Sequence, residues 1–360
     1  MNPVLLKLDL LACGLRLNPG TEPPAETVSS GGIELQLPSG VRVKAPIDDQ
    51  LTAGSPYSLH ENDGSFYIEK EGRTVSGVEP SPSSLQGLIT ERGTPMENVA
   101  SMDGSCLVIF PLGQCDHYRS DGSCGHCPTA VEVQTGSGGE KDLRDVLETV
   151  RVARGRFNIN RVRLVSGFVH GLELDQIEVY FRAIRDAEGL PLAIEAPPPE
   201  NFGRYHRLRE MGLREISFAI GFYRPDFFRR FCAGLQTEGM RERYLKAIEF
   251  CGRTWRPSGR VTVGVTIGVE PLEVTVTALD YFSRIGVVPQ LQVLPRTWVE
   301  AQGFGGGEKT ESLTHVLINQ FRACRRRWLP LETYPGTERT ALITPYDSRL
   351  VATADLRRAA

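Results

Sequence analysis

The sequence predicts an α/β protein: a partial (β/α)6 TIM barrel preceded by a small N-terminal β-rich domain. Three observations predict it. From residue 104 onward, six short apolar segments alternate with amphipathic helical ones, the pattern of parallel strands buried on both faces. Residues 1–103 show short alternating runs broken by Gly, Pro and Ser, which mark hairpins. No G-x-G-x-x-G follows any strand, which removes the usual reason to expect a dinucleotide-binding sheet.

In the N-terminal domain, "GGIELQLPSGVRVKAPI" alternates on both sides of Pro38-Ser39-Gly40, and "GSFYIEKEGRTVSGV" does the same around Glu71-Gly72. Each reads as a hairpin. "EPSPSSLQGLITERGTPMENV" has loop composition and blurs the end of this domain. The barrel region spans 104–330, and 331–360 form a C-terminal extension. Its strands are expected at 106–112, 162–167, 190–196, 214–221, 260–268 and 287–295. Helices are expected at 141–155, 174–189, 200–212, 225–231, 239–253 and 271–286, the last with Pro at its start.

The chain has 360 residues, 40% hydrophobic and 24% charged, with a formal net charge of −3. That is enough for a sizeable core and argues against a globally basic nucleic-acid surface. The local cluster "RACRRRW" (322–328) reads as a solvated helix end, where cations are favoured. "MNPVLLKLDLLACGL" carries Lys7 and Asp9 inside an apolar run and lacks a signal peptide's basic start and cleavage site. No stretch approaches 18 uninterrupted apolar residues, so no membrane span is expected. The chain is therefore expected in the cytoplasm, where clustered thiols point to metal or catalysis rather than disulfides.

Such a cluster stands in "CDHYRSDGSCGHC", residues 115–127, spaced C-x8-C-x2-C. Its loop follows the first barrel strand, and in a βα barrel the loops at C-terminal strand ends build the active site. Cys124-Gly125-His126-Cys127 forms a tight turn that aims two sulfurs at one centre. Asp121-Gly122-Ser123 is a turn able to return Cys115 to it. Structural zinc would need His117 or His126 as a fourth ligand. A 4Fe–4S cluster would use three thiolates and leave one iron open. Zinc knuckles usually belong to small separate modules, so the position after strand one favours the iron cluster. A zinc-stabilised, non-catalytic binding protein stays the alternative from another class.

Strand, cysteine loop and six βα units together resemble the radical S-adenosylmethionine (radical SAM) enzymes. The usual motif of that family is C-x3-C-x2-C with an aromatic residue before the last cysteine. Here the first spacing is eight, and His126 takes the aromatic position. The chain is more similar to a smaller branch with C-x8-C-x2-C spacing, found in gene clusters that include a nitrilase. It is more distantly similar to biotin-synthase-like and tyrosine-lyase-like enzymes. The likeness extends to "GGIELQLPSGVRVKAPI", "SPYSL" and "VTIGVEPLEVTVTALDYFSRIGVVP". The cysteine motif is specific; the rest is diffuse.

The resemblance implies a 4Fe–4S cluster on Cys115, Cys124 and Cys127, with S-adenosylmethionine on the fourth iron. It implies reductive cleavage to a 5′-deoxyadenosyl radical that abstracts hydrogen from a small-molecule substrate. A one-electron reductant such as flavodoxin or ferredoxin would be needed, and the cluster would be oxygen-sensitive. Ser166-Gly167 falls where the family has its glycine-rich turn, which receives the methionyl amino group, although the Glu of that turn is absent. His126, Ser166, Gly167 and Glu195 are thus the candidates to bind S-adenosylmethionine. Glu195 ends strand three, where a carboxylate can accept from a ribose or an amino group.

Relatives often carry a Glu at the end of strand four. Here Gly221 stands there, with Tyr223 and Arg224 as replacement candidates. Arg296, after strand six, suits a substrate carboxylate, and His170 lies in the loop after strand two. Glu270 reads as a first-turn helix carboxylate. Cys13, Cys106, Cys232, Cys251 and Cys324 show no C-x-x-C pairing. Sulfur or methyl transfer through a second cluster is the third reading, without a sequence signature.

Overall fold

The computed structural model describes residues 1–29, 32–48, 52–81, 85–116, 139–169, 174–232, 239–255, 260–301, 303, 310–329, 341–342, 347 and 350–351. The chain divides into two compact units. One comprises Met1–Ser84, Thr266–Asp280 and Gln290–Ala360; the other comprises Leu85–Val265 and Tyr281–Pro289. The linear division expected at residues 103 and 330 cuts the chain differently, because two late stretches group with the N-terminal strands.

The first unit begins with a helix that the sequence reading did not draw, α1 (Pro3–Cys13). Asn2 caps it by accepting from the Val4 amide at 2.9 Å, and Pro3 suits the first turn, where no amide donor is needed. The helix is buried nearly all round, Lys7 and Asp9 included. Such burial is tolerated only with partners. Lys7 Nζ lies 3.3 Å from Asp347, and the Tyr57 hydroxyl donates to Asp9. Leu6, Leu10, Val43, Leu59, Leu313 and Leu317 belong to the surrounding core.

The strands of this unit are β1 (Arg16–Leu17), β2 (Val28–Ser29), β3 (Gly32–Gln36), β4 (Arg42–Pro46), β5 (Tyr57–Asn62), β6 (Ser65–Lys70) and β7 (Arg73–Pro80). They form a sheet of order β1-β5-β6-β7-β3-β2, with β4 on β3. Both expected hairpins are present, as the antiparallel pairs β3–β4 and β6–β7. Glu71 and Gly72 both have positive φ, 50° and 77°, as a two-residue turn matched to the twist of its strands requires.

The second sheet contains β8 (Ala100–Asp103), β9 (Cys106–Ile109), β10 (Arg161–Val165), β11 (Leu192–Glu195), β12 (Glu215–Gly221), β13 (Arg260–Ile267), β14 (Val288–Val293) and β15 (Ala341–Leu342). Its order is β15-β14-β13-β12-β11-β10-β9-β8, an open, curled half-barrel. The ladders from β9 to β13 are parallel, and β8 closes on β9 as an antiparallel neighbour. The helices between strands are α2 (Leu143–Phe157), α3 (Asp175–Glu188), α4 (Gly203–Glu210), α5 (Pro225–Phe231), α6 (Met240–Thr254) and α7 (Leu272–Arg284). α8 (Arg296–Ala301) and α9 (Thr310–Arg326) follow β14. α9 carries Arg325 and Arg326, both exposed, in its last turn, as expected of the arginine run.

Side chains alternate across each strand, and the two faces of the sheet differ in chemistry. Leu107, Ile109, Val162, Leu164, Ile194, Ile216 and Phe218 form the apolar face. Phe218 meets Tyr205 of α4 edge-on at 5.8 Å, so this face packs on the helices. The other face carries Arg163, Glu195, Glu215, Ser217 and Thr262, with Glu195, Ser217 and Thr262 opposite one another in register across three strands. This polar inner face is what a continuous apolar reading of the strands conceals. Among the described residues, no helix is long and apolar enough to cross a membrane.

Candidate functional site

The site is built at the C-terminal ends of β9, β10 and β11. After β9 the chain passes through Leu112 and Gly113 to Cys115, which is half-buried. The Asp116 amide donates to the Phe168 carbonyl at 2.8 Å, and the Lys141 amide donates to the Pro111 carbonyl at 2.7 Å. The first bond ties the start of the cysteine loop to the turn after β10. The second brings the returning chain back to the place where it left β9.

Gly167 supplies the closest contact. A Cβ built on it would stand 2.7 Å from Cys115 Cβ and 2.7 Å from the Gln114 carbonyl oxygen. The sequence suggests a glycine there for close backbone approach, and the approach is that of the cysteine loop itself. The neighbouring Ser166 amide donates to the Glu195 carbonyl at 2.8 Å, and the Ser166 hydroxyl folds onto the Gly167 carbonyl at 2.8 Å. Cys115, Gly167, Ser166 and Glu195, four residues named from sequence, thus form one connected series. Cys124, His126, Cys127 and His170 lie outside the described residues, as does His117.

Below Glu195 the inner face is ionic. Arg163 donates to Glu195 at 3.1 Å and to Glu215 at 2.9 Å. Arg161 donates to Glu215 at 2.7 Å, and Arg260 lies 3.8 Å from it. Burial opposes the charge on Arg163, but Glu215 and then Glu195 outweigh it and hold the guanidinium above its ordinary value. Sequence reasoning missed Arg163 and Glu215. Their only signal was a charged residue at alternate positions in otherwise apolar strands, "RVRLV" and "EISFAIG".

The remaining described candidates make contacts of their own. Arg224, just before α5, makes a two-pronged pair with Asp226, 2.9 and 2.6 Å, and covers the Phe227 ring. That pair holds the Asp226 carboxyl below the usual range. Tyr223 packs on Tyr281 and Phe282, while Arg241 donates to its carbonyl. Arg296 opens α8 in the first unit, within electrostatic range of Cys13 and Tyr57. Glu270 precedes α7 instead of standing in its first turn, where Glu273 is found, and it is buried.

Of the other cysteines, Cys106, Cys232, Cys251 and Cys324 are buried. Burial pushes the thiols of Cys106 and Cys324 up to about 12, which disfavours the thiolate that a metal requires. Among the described residues, no three His, Cys, Asp or Glu side chains converge as a metal site. The cysteine motif is different in kind: Cys115, Cys124 and Cys127 offer by sequence three soft donors, the set that suits an iron–sulfur cluster with one open iron. The one donor described is already braced against Gly167.

No family model matches the chain. It is 21% identical over 222 residues to a bacteriochlorophyllide c C-7(1)-hydroxylase of Chlorobaculum limnaeum, a match covering 56% of this chain and 55% of the relative. The chain thus spans about half the length of the curated relative it matches. Among solved structures, methylornithine synthase (PylB) aligns at TM-score 0.46 and 16% identity, over 64% of each chain. The FeFe-hydrogenase maturase HydG from Carboxydothermus hydrogenoformans aligns at TM-score 0.44 and 16% identity, over 62% of this chain and 52% of that one.

Proposed function

We propose that the chain is a radical S-adenosylmethionine enzyme of the branch with C-x8-C-x2-C spacing, acting on a small molecule. One observation carries the reading. The loop with this cysteine motif leaves the first strand of a parallel half-barrel, and its first cysteine is locked against Gly167 at the end of the second. The likeness to a hydroxylase supports enzymatic work at a C–H bond.

Cys115, Cys124 and Cys127 would hold the 4Fe–4S cluster. When bound, the cluster supplies the electron that cleaves S-adenosylmethionine to methionine and a 5′-deoxyadenosyl radical. The chain's own share is to orient and exclude water. Gly167 and Ser166 set the position of the cysteine loop, and Glu195 offers a carboxylate at the strand end. His126 stands next to the last ligand in sequence. His170, Tyr223, Arg224 and Arg296 are proposed substrate contacts because each follows a strand end, and Arg224 would first have to release Asp226. A flavodoxin- or ferredoxin-type donor and a cytoplasmic, anaerobic setting belong to the same reading.

Metal analysis of anaerobically reconstituted protein tests it. Roughly four irons with matching sulfide supports one cluster. A single zinc without iron supports the structural knuckle, and about eight irons points to transfer chemistry with a second cluster.

A further inference from the structure

The buried arginine of the inner face has no task in the function proposed above. Arg163 is 1% exposed, yet its guanidinium is gripped from two strands, by Glu195 of β11 and Glu215 of β12. The two carboxylates are not equivalent. Glu215 is 2% exposed and enclosed by Arg161, Arg163 and Arg260. Glu195 stands at a strand end with a side chain 21% exposed. Arg163 engages its Oε2, and Oε1 has no partner among the described residues.

A planar guanidinium fork fixed at one end removes torsional freedom from the carboxylate at its other end. Burying such a group is costly, and apolar side chains of similar volume would often stabilise a core as well. That cost favours a positional task over a purely structural one. The backbone of Glu195 is meanwhile pinned by the Ser166 amide, beside the turn that holds Cys115. Glu195 is therefore held through its side chain by Arg163 and through its backbone by Ser166, the residue before the glycine that packs on Cys115.

We propose that Arg163 is a positioning residue: braced on Glu215, it fixes the Glu195 carboxylate and leaves Oε1 to accept a hydrogen bond from a hydroxyl or amino group of S-adenosylmethionine. This rests on the function proposed above.

The test is anaerobic equilibrium dialysis of S-adenosylmethionine against cluster-loaded full-length protein. Wild type, Glu195→Gln, Arg163→Lys and the double variant are compared at equal iron content. Glu195→Gln is expected to weaken binding about tenfold, the loss of one charge-assisted hydrogen bond. Arg163→Lys is expected to weaken it about fivefold, and the double variant should bind no worse than Glu195→Gln alone, because Arg163 acts through Glu195. Wild-type affinity in Glu195→Gln overturns the proposal. So does an Arg163→Lys effect that persists undiminished in the Glu195→Gln background.

Should Arg163→Lys fail to fold, Glu195→Asp makes the same comparison, since it keeps the charge but withdraws it from the fork. It is expected to bind as weakly as Glu195→Gln, and wild-type affinity there contradicts the brace. A wild type that takes up no cluster and binds no S-adenosylmethionine sinks the parent function, and the proposal with it. Full binding in every variant sinks the proposal alone.

Discussion

Gly167 lies against Cys115 so closely that a methyl group at its Cα would stand 2.7 Å from the Cys115 Cβ and 2.7 Å from the Gln114 carbonyl oxygen. Both neighbours belong to the segment that starts the cysteine loop, and one is backbone that cannot rotate away. Gly167→Ala is therefore expected to push the loop off its strand end. Overpacking of this kind costs about 1–3 kcal/mol. The variant should melt earlier and take up less iron than wild type on reconstitution. Wild-type iron content with an unchanged melting temperature would show that the contact is unimportant.

The Glu215 carboxylate offsets three arginines on a buried face. Glu215→Ala removes the more buried of the two carboxylates that hold Arg163 and strips Arg161 and Arg260 of the same counter-charge, at a cost of about 3–5 kcal/mol. Urea unfolding should show a midpoint well below that of wild type at an unchanged slope. A shift under about 0.5 kcal/mol, the size of an ordinary surface substitution, would mean that the network is not buried as described.

In the first unit, Lys7 and Asp347 are 3% and 5% exposed. Lys7→Ala removes the opposite charge beside a buried carboxylate and should destabilise by about 3–5 kcal/mol, whereas Lys7→Met with Asp347→Leu should recover most of that loss. Thermal unfolding of the three proteins decides it. Equal losses in the single and double variants would indicate that packing, not charge, is at stake.

Cys106 gives the protein an alkaline weakness. Burial pushes its thiol up to about 12, against about 8.5 in an unfolded chain. Between those values the unfolded state binds fewer protons, so stability falls as pH rises. The contribution is complete below about pH 8.5 and is lost progressively towards pH 12. At pH 10 the loss is about 1–2 kcal/mol. Cys106→Ala should flatten the stability profile between pH 7 and 10, and an unchanged slope would contradict the assignment.

The half-barrel was legible because its strands are short, apolar and evenly separated by amphipathic helices. The observed β12 and α5 start within one residue of the expected positions. α1 was not legible. A helix carrying Lys7 and Asp9 in an apolar run makes sense only with Asp347 and Tyr57 in place, and those partners are distant in sequence. β8 was not drawn either: it directly follows the stretch of loop-like composition, and its pairing with β9 is what makes it a strand. In the site, Cys115, Ser166, Gly167 and Glu195 were found by their position at strand ends. Arg163 and Glu215 were not, since a charge inside a strand looks like an interruption until the neighbouring strands supply its partner.

The central claim is tested most directly by product analysis after reduction. Wild type and Cys124→Ala are reconstituted anaerobically with iron and sulfide, then given dithionite and S-adenosylmethionine, and 5′-deoxyadenosine is measured by chromatography. The expected result is 5′-deoxyadenosine from wild type and none from Cys124→Ala. If wild type holds one zinc, forms no iron cluster and makes no 5′-deoxyadenosine, the cysteine loop is a structural knuckle and the proposed function is wrong.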